Sequence, residues 1–348
     1  MKVLVTRTDR LGDLVLTLPV FEALKTACPA WEIHAMVAPG AVPLVENDPH
    51  LARVWTWRDD LSAAEAGALC GELAAEGFTA AVMIQYRREL AKMLREAGIA
   101  RRYGPWSKWF SWIHLNRGLR QNRSGGGHHE MDFNLQLAER LLRDEGHTAS
   151  NPLGPRLYLN AAQQQLARDF RAEYGAERVV FLHPGSGGSA LDWEPERFAT
   201  VANVLAAEAG HKVFITGAGP DAGVVADVAM HLQPTVTVLL DKFVLRDFLA
   251  VLAAADLFIG PSTGPLHLAA ALGVPTLGLY PPVRTMHPDR WGPRSFVNPA
   301  PRNLMPELDC PARRLCQGER CEHYNCLNEL RVEAVLTAAR EILGPELP

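Results

Sequence analysis

Short apolar runs alternate with amphipathic stretches along most of the chain. The first run, Val3-Leu4-Val5, belongs to a strand predicted over residues 2–6, and a polar loop over 7–12 follows it. A helix is predicted from about residue 13 to 27, because Leu14, Leu18, Phe21 and Lys25 share one face at helical spacing. Lys25 is the polar exception near its end, and Pro19 marks a kink or a break. Residues 32–37 and 80–85 read as further strands, and 62–76 and 88–97 as helices covering a sheet. Strands alternating with helices predict an α/β fold with a parallel, doubly wound sheet.

The same alternation returns later. A flexible loop over 121–129, with Ser124-Gly125-Gly126-Gly127, precedes a helix over 132–143, and the Gly-, Pro- and Asn-rich residues 145–156 form the linker candidate. Beyond a helix near 161–174 come a strand over 179–182, a loop over 183–192 and a helix over 196–209. Phe198, Val201, Ala202 and Leu205 make that helix amphipathic. A strand over 212–216, a loop over 217–221, a strand over 235–239, a helix over 245–255 and a strand over 256–259 complete the second unit. The closing helix, 332–343, has no obvious strand partner. With 348 residues the chain is long enough for two cores. The expected division is 1–155 and 156–330, with 331–348 packing back on the first domain.

Open α/β sheets bind ligands at the carboxyl ends of their strands. The Gly-rich loops over 7–12, 184–188, 217–220 and 261–264 all follow strands, so two domains facing across a cleft would hold one ligand from both sides. The most informative of these loops is Pro261-Ser262-Thr263-Gly264-Pro265-Leu266-His267, between an apolar strand and a small-residue helix. Free backbone N–H groups at such a helix start suit an anion, most simply nucleotide phosphates. The alternative is that Ser262 and Thr263 only cap the helix.

Net charge −4, 48% hydrophobic and 21% charged residues describe an ordinary globular chain without a membrane-spanning apolar run. The first residues turn polar too soon for a signal peptide, so a cytoplasmic protein is expected. Charge is uneven, however. Residues 87–123 hold ten Lys and Arg against two Glu, a net +8, around Trp106-Ser107-Lys108-Trp109-Phe110-Ser111-Trp112. Basic side chains among tryptophans suit an anionic amphiphilic surface, with a solvated basic face over core tryptophans as the alternative. No nucleic-acid module accompanies the patch, and nucleic acid is not an expected partner. Late in the chain Cys310, Cys316, Cys321 and Cys326, with His323 among them, allow a structural zinc; packed free thiols or a redox-sensitive pair are the alternatives. Cys28 and Cys70 read as ordinary buried thiols.

Arg10-Leu11-Gly12-Asp13 with Thr17-Leu18-Pro19, His183-Pro184-Gly185-Ser186 with Trp193-Glu194-Pro195, and Ser262 to His267 occur in one order. Together with Arg290-Trp291-Gly292-Pro293 and the cysteine cluster, this resembles glycosyltransferase family 9, the ADP-heptose:lipopolysaccharide heptosyltransferases, over nearly the whole chain. The resemblance implies a GT-B architecture of two Rossmann-like domains, the first for the acceptor and the second for the nucleotide sugar. It implies inverting transfer of heptose from ADP-heptose to the inner core of lipopolysaccharide, at the cytoplasmic face of the membrane and with no cofactor for catalysis.

On that reading Asp13 is the base that deprotonates the acceptor hydroxyl, although a helix-capping role stays open. The departing diphosphate meets Ser262, Thr263 and Gly264 together with Ser186 and Gly187. His267 reaches a phosphate or packs as a core imidazole. Lys242 and Phe243 match a family position beside the adenine, with plain core packing open for Phe243. Arg101, Arg102 and Arg120 are the acceptor-side candidates within the basic segment. Two departures stand out: Leu191 occupies the place of a common lysine, and Ser262 that of a common acidic residue. They leave the donor sugar open, with Arg284 or Lys242 as substitutes for the missing charge. The competing functions are an epimerase-like nucleotide-sugar enzyme and a non-catalytic nucleotide-sugar-binding protein. A dehydrogenase is disfavoured, because the loop from Gly217 to Gly223 spaces its glycines wrongly and contains Pro220.

Overall fold

A computed structural model describes residues 1–344 except 109, 124–126, 150, 151, 153, 176, 189, 298, 299 and 312–315. Trp109 of the tryptophan run, Ser124 to Gly126 of the expected flexible loop, and positions 150, 151 and 153 of the expected linker lie outside the described residues. The chain divides into two compact units, Met1–Tyr158 and Leu159–Pro348.

The first unit carries strands β1 (Lys2–Arg7), β2 (Glu32–Val37), β3 (Arg53–Thr56), β4 (Ala80–Met83), β5 (Arg101–Pro105) and β6 (Arg117–Leu119). Its helices are α1 (Leu11–Val15), α2 (Leu18–Ala27), α3 (Ala63–Glu76), α4 (Arg88–Glu96) and α5 (Glu130–Asp144). All neighbouring strands run parallel, in the order β3-β2-β1-β4-β5-β6. Val3, Leu4 and Val5 are buried, as expected of a central parallel strand covered on both faces.

Local chemistry sets the boundaries. The single helix expected over 13–27 is two: α1 stops at Val15, and α2 starts at Leu18 with Pro19 in its first turn, where a missing N–H costs nothing. The Lys25 ammonium donates to the carbonyls of Pro29 and Trp31, both at 2.9 Å, and so closes the turn after α2. A reciprocal capping box between Ser62 and Glu65 opens α3, and left-handed Gly77 ends it. His129 and Asp132 make a similar box before α5, which starts two residues earlier than its apolar pattern indicates.

The second unit repeats the plan. Its strands are β7 (Arg178–Leu182), β8 (His211–Gly217), β9 (Thr237–Leu240), β10 (Leu257–Pro261), β11 (Thr276–Leu279) and β12 (Arg302–Leu304), parallel in the order β12-β11-β10-β7-β8-β9. Its helices are α6 (Ala161–Ala172), α7 (Pro195–Ala207), α8 (Ala222–Ala229), α9 (Leu245–Ala253), α10 (Gly264–Ala271), α11 (Pro288–Trp291) and α12 (Val332–Leu343). The closing helix α12 finds its partners here: it packs on α7 and β10, and Val335, Leu336, Ala338, Ala339 and Leu343 join the second unit's core. Among the described residues no helix is long and apolar enough to cross a membrane.

In each sheet the strand order reverses direction next to the first strand, β1 beside β4 and β7 beside β10. Chains leave such switch points in opposite directions and open a crevice at the carboxyl ends. Both candidate sites lie at these two places.

Candidate active-site residues in the two units

In the first unit β1 ends at Arg7, and the next loop turns into α1 with Asp13 in its first turn. Asp13 is not the cap: Arg10 holds that position, with no side-chain capping bond. The Asp13 carboxylate turns instead to Arg7, whose Nη2 donates to Oδ1, and the Asp13 side chain keeps 15% exposure. Arg7 is buried, with Nε 2.6 Å from Asp9 Oδ1 and Nη1 3.7 Å from Glu130 Oε1. Glu130, at the start of α5, also pairs with Arg123. Arg123 in turn donates from Nε to Gln121 Oε1 at 3.0 Å and from Nη2 to the Ile84 carbonyl beyond β4 at 3.4 Å. The backbone around Asp13 is tied down as well. Thr17 Oγ1 donates to the Asp13 carbonyl at 2.9 Å, and Asn134 Nδ2 of α5 donates to the Leu16 carbonyl at 3.0 Å.

Burial pushes the Asp13 carboxyl up to about 6; the Arg7 cation pulls against that rise, while Asp9 and Glu130 add to it. Burial also works against the charge on Arg7, but Asp13, Asp9 and Glu130 outweigh it and keep the guanidinium charged. A carboxylate ionised at neutral pH, yet far more basic than one in water, suits proton abstraction.

In the second unit three adjacent strands deliver the loops. Ser262 and Thr263 follow β10, and Thr263 is the backbone N-cap of α10 without any side-chain capping bond, so the capping alternative is not what its hydroxyl does. Gly264, Pro265 and His267 fall in the first turns of α10, with Ser262, Thr263 and His267 buried. After β7 the buried Ser186 hydroxyl donates to the Ala190 carbonyl at 3.1 Å and accepts from the Gly188 N–H at 3.3 Å. Gly187 and Gly188 take φ of +55° and +72°, left-handed values that glycine adopts without steric cost. This loop presses on the turn after β8, for a Cβ on Gly185 would sit 2.2 Å from Asp221 Oδ1. Behind it His183 is buried, with Nδ1 3.1 Å from Thr216 Oγ1 and Nε2 3.8 Å from Asp221 Oδ2. Burial lowers its pKa despite Asp221, which leaves a neutral imidazole that supports the loop.

Lys242 is exposed and Phe243 half-buried in the loop after β9, on the same carboxyl edge. Leu191 packs half-buried against the second core, so no charge replaces the lysine from that position, while Arg284 is exposed beyond β11. The acceptor-side arginines divide. Arg120 is exposed just past the carboxyl end of β6, on the edge that carries Asp13. Arg101 and Arg102 start β5 at the opposite edge, which corrects their expected role. Arg101 pairs with Glu145, and Arg102 donates to the carbonyls of His114, at 2.6 Å, and Ile99.

The four late cysteines are free and, with His323, line one cavity of about 30 Å³ beside Leu191 and Val283. Burial, with Cys310, Cys316 and Cys321 nearby, pushes the Cys326 thiol up to about 11, and among the described residues no three His, Cys, Asp or Glu are gathered as metal ligands.

The model of glycosyltransferase family 9 (heptosyltransferase) matches residues 67–315. The chain belongs to this family. It is 30% identical over 302 residues to a protein of Haemophilus influenzae provisionally named as a glycosyltransferase, covering 85% of this chain and 87% of the relative. It is 22% identical over 350 residues to the lipopolysaccharide core heptosyltransferase OpsX of Haemophilus influenzae, covering 97% and 96%. Its fold matches that of Escherichia coli ADP-heptose LPS heptosyltransferase II with a TM-score of 0.78 at 21% identity, covering 99% of this chain and 98% of that one. A family 9 member with two parallel α/β units is a GT-B glycosyltransferase, as the motifs predict.

Asp13 stands out in the sequence, whereas Arg7, Glu130 and Arg123 do not. An arginine closing a buried strand is the one local signal. The pairing with Glu130 joins opposite ends of the first unit and leaves no periodic trace.

Proposed function

We propose that this protein moves a heptose, with inversion, from ADP-heptose to the inner core of lipopolysaccharide or another anionic glycolipid, with Asp13 as the general base. The observation that carries the reading is the Asp13 carboxylate at the carboxyl end of β1, raised to about 6 and held through one oxygen by Arg7. The acceptor O–H gives its proton to Asp13 as its oxygen bonds to the anomeric carbon. The bond from that carbon to the diphosphate oxygen breaks, and ADP leaves with the electron pair. Backbone N–H groups around Ser262–Gly264 and Ser186–Gly188 meet the charge that builds on the phosphate. Lys242 and Phe243 flank the adenine. The names of OpsX and of the Escherichia coli enzyme support heptose, ADP and a lipopolysaccharide acceptor. Arg120 contacts the acceptor's anionic groups.

The protein works peripherally at the cytoplasmic membrane face. Trp112 is 63% and Ile113 44% exposed, and Arg88 and Arg95 lie close enough to act on the adjoining His114, a combination that suits anionic headgroups.

The test is incubation with ADP-heptose and heptose-free lipopolysaccharide. ADP release that depends on the acceptor supports transfer. Free heptose released without acceptor favours a hydrolase or epimerase-like enzyme, and ADP binding without turnover favours a non-catalytic binder.

A further inference from the structure

We propose that Arg7 and Glu130 are positioning residues for the transfer: Arg7 pins one oxygen of Asp13, and Glu130 divides the Arg7 charge so that Asp13 stays basic. The inference rests on Asp13 being the base and adds what makes it an effective one. Four groups alternate in sign, Arg123, Glu130, Arg7 and Asp13, and Arg7 also holds Asp9. Their side chains are 19%, 2%, 3% and 15% exposed, so water screens the inner pair poorly and exposure rises toward Asp13.

Such an arrangement needs a purpose, because burying charges is costly unless every one is paired. Alone with Arg7, Asp13 would be a tight, weakly basic ion pair. Here the same guanidinium also faces Asp9 and Glu130, so its attraction is shared among three carboxylates. Arg7 takes only Oδ1 of Asp13, and among the described residues Oδ2 has no hydrogen bond. One oxygen is fixed and the other is left for a substrate proton. Glu130 is itself fixed through Arg123, which Gln121 and the Ile84 carbonyl hold. The charged groups acting on Asp13 are Arg7 from β1, Asp9 and Arg10 from the loop, and Glu130 from α5.

Two variants move Asp13 in opposite directions. Glu130→Gln keeps the shape and removes a negative charge, so Asp13 becomes more acidic. The acid limb of the kcat/KM profile is expected to fall by roughly half a pH unit or more, with kcat lower and donor KM unchanged. Arg7→Met removes the cation, and the limb is expected to rise by about one unit or more, with at least ~10-fold lower kcat. A role in folding alone would lower activity without moving the limb. Where Arg7→Met does not fold, a carbon-13 NMR titration of Asp13 in folded Glu130→Gln reads the same downward shift.

An unmoved limb in Glu130→Gln, or a limb moved upward, overturns the proposal. Asp13→Asn separates the two claims. If it is inactive while Glu130→Gln leaves the limb in place, the base stands and the positioning role falls. If Asp13→Asn turns over normally, both fall.

Discussion

Asp13→Asn should make the protein more stable at neutral pH while silencing it. The carboxyl rises from an ordinary 3.8 to about 6, with burial as the main cause. At about 1.4 kcal/mol per pH unit, keeping this carboxylate charged costs the folded state ~3 kcal/mol. The sign follows from proton binding. The folded form holds the proton more tightly than the unfolded chain, so below pH 3.8 both are protonated and the penalty is absent. It grows as pH rises from 3.8 to 6 and is complete above 6. The amide never ionises, so its advantage should follow the same curve. Since Arg7 keeps Asp9 and Glu130 as partners, the guanidinium is not stranded. Urea unfolding of both proteins between pH 4.5 and 8 measures the difference. A gain that grows through pH 6 and levels at up to ~3 kcal/mol is expected. An Asn variant less stable than wild type at pH 7.5, or a difference that ignores pH, would refute the reasoning.

Further outcomes follow from the same geometry. The wild-type kcat/KM should rise through about pH 6 as Asp13 ionises, whereas a flat profile from pH 5 to 7 would detach the rate from it. Gly185→Ala places a methyl against Asp221, whose Oδ2 is tied to the Ala218 N–H at 3.0 Å, and should cost about 1–3 kcal/mol in a thermal melt while weakening ADP binding in calorimetry. Gly188→Val forces a β-branched residue to positive φ and should cost about 1–2 kcal/mol with a raised donor KM; an unchanged donor KM would remove that loop from the phosphate cradle. Trp112→Ser should reduce co-sedimentation with phosphatidylglycerol vesicles several-fold and leave ADP affinity unchanged, while equal sedimentation of both proteins would dismiss the membrane contact.

What the sequence discloses is what neighbours in the chain decide. Val3 to Val5 mark a buried strand by their apolar run, and Pro19 signals the break that separates α1 from α2; both are local devices. Asp13 and the turn from Ser262 to Gly264 were legible because strand, loop and helix follow directly on one another. Strands β5 and β6 were hidden inside the arginine-rich segment, since both are short and begin on arginines, Arg101, Arg102 and Arg117. That concealment misplaced Arg101 and Arg102: without β5 nothing shows that they begin a strand instead of ending one. The salt-bridged carboxylates around Arg7 were illegible for a different reason. Periodicity reports which face of an element is buried, and it is silent about which distant charge meets which. The home of α12 depended equally on long-range packing, against α7 and β10.

The central claim is that Asp13 takes the acceptor's proton. Single-turnover transfer from ADP-heptose to heptose-free lipopolysaccharide, compared between wild type and Asp13→Ala at matched ADP occupancy, tests it most directly. The expected rate is at least ~100-fold lower with ADP affinity preserved. A variant that transfers within ~3-fold of wild type would contradict it, for such a change is below what loss of a general base produces.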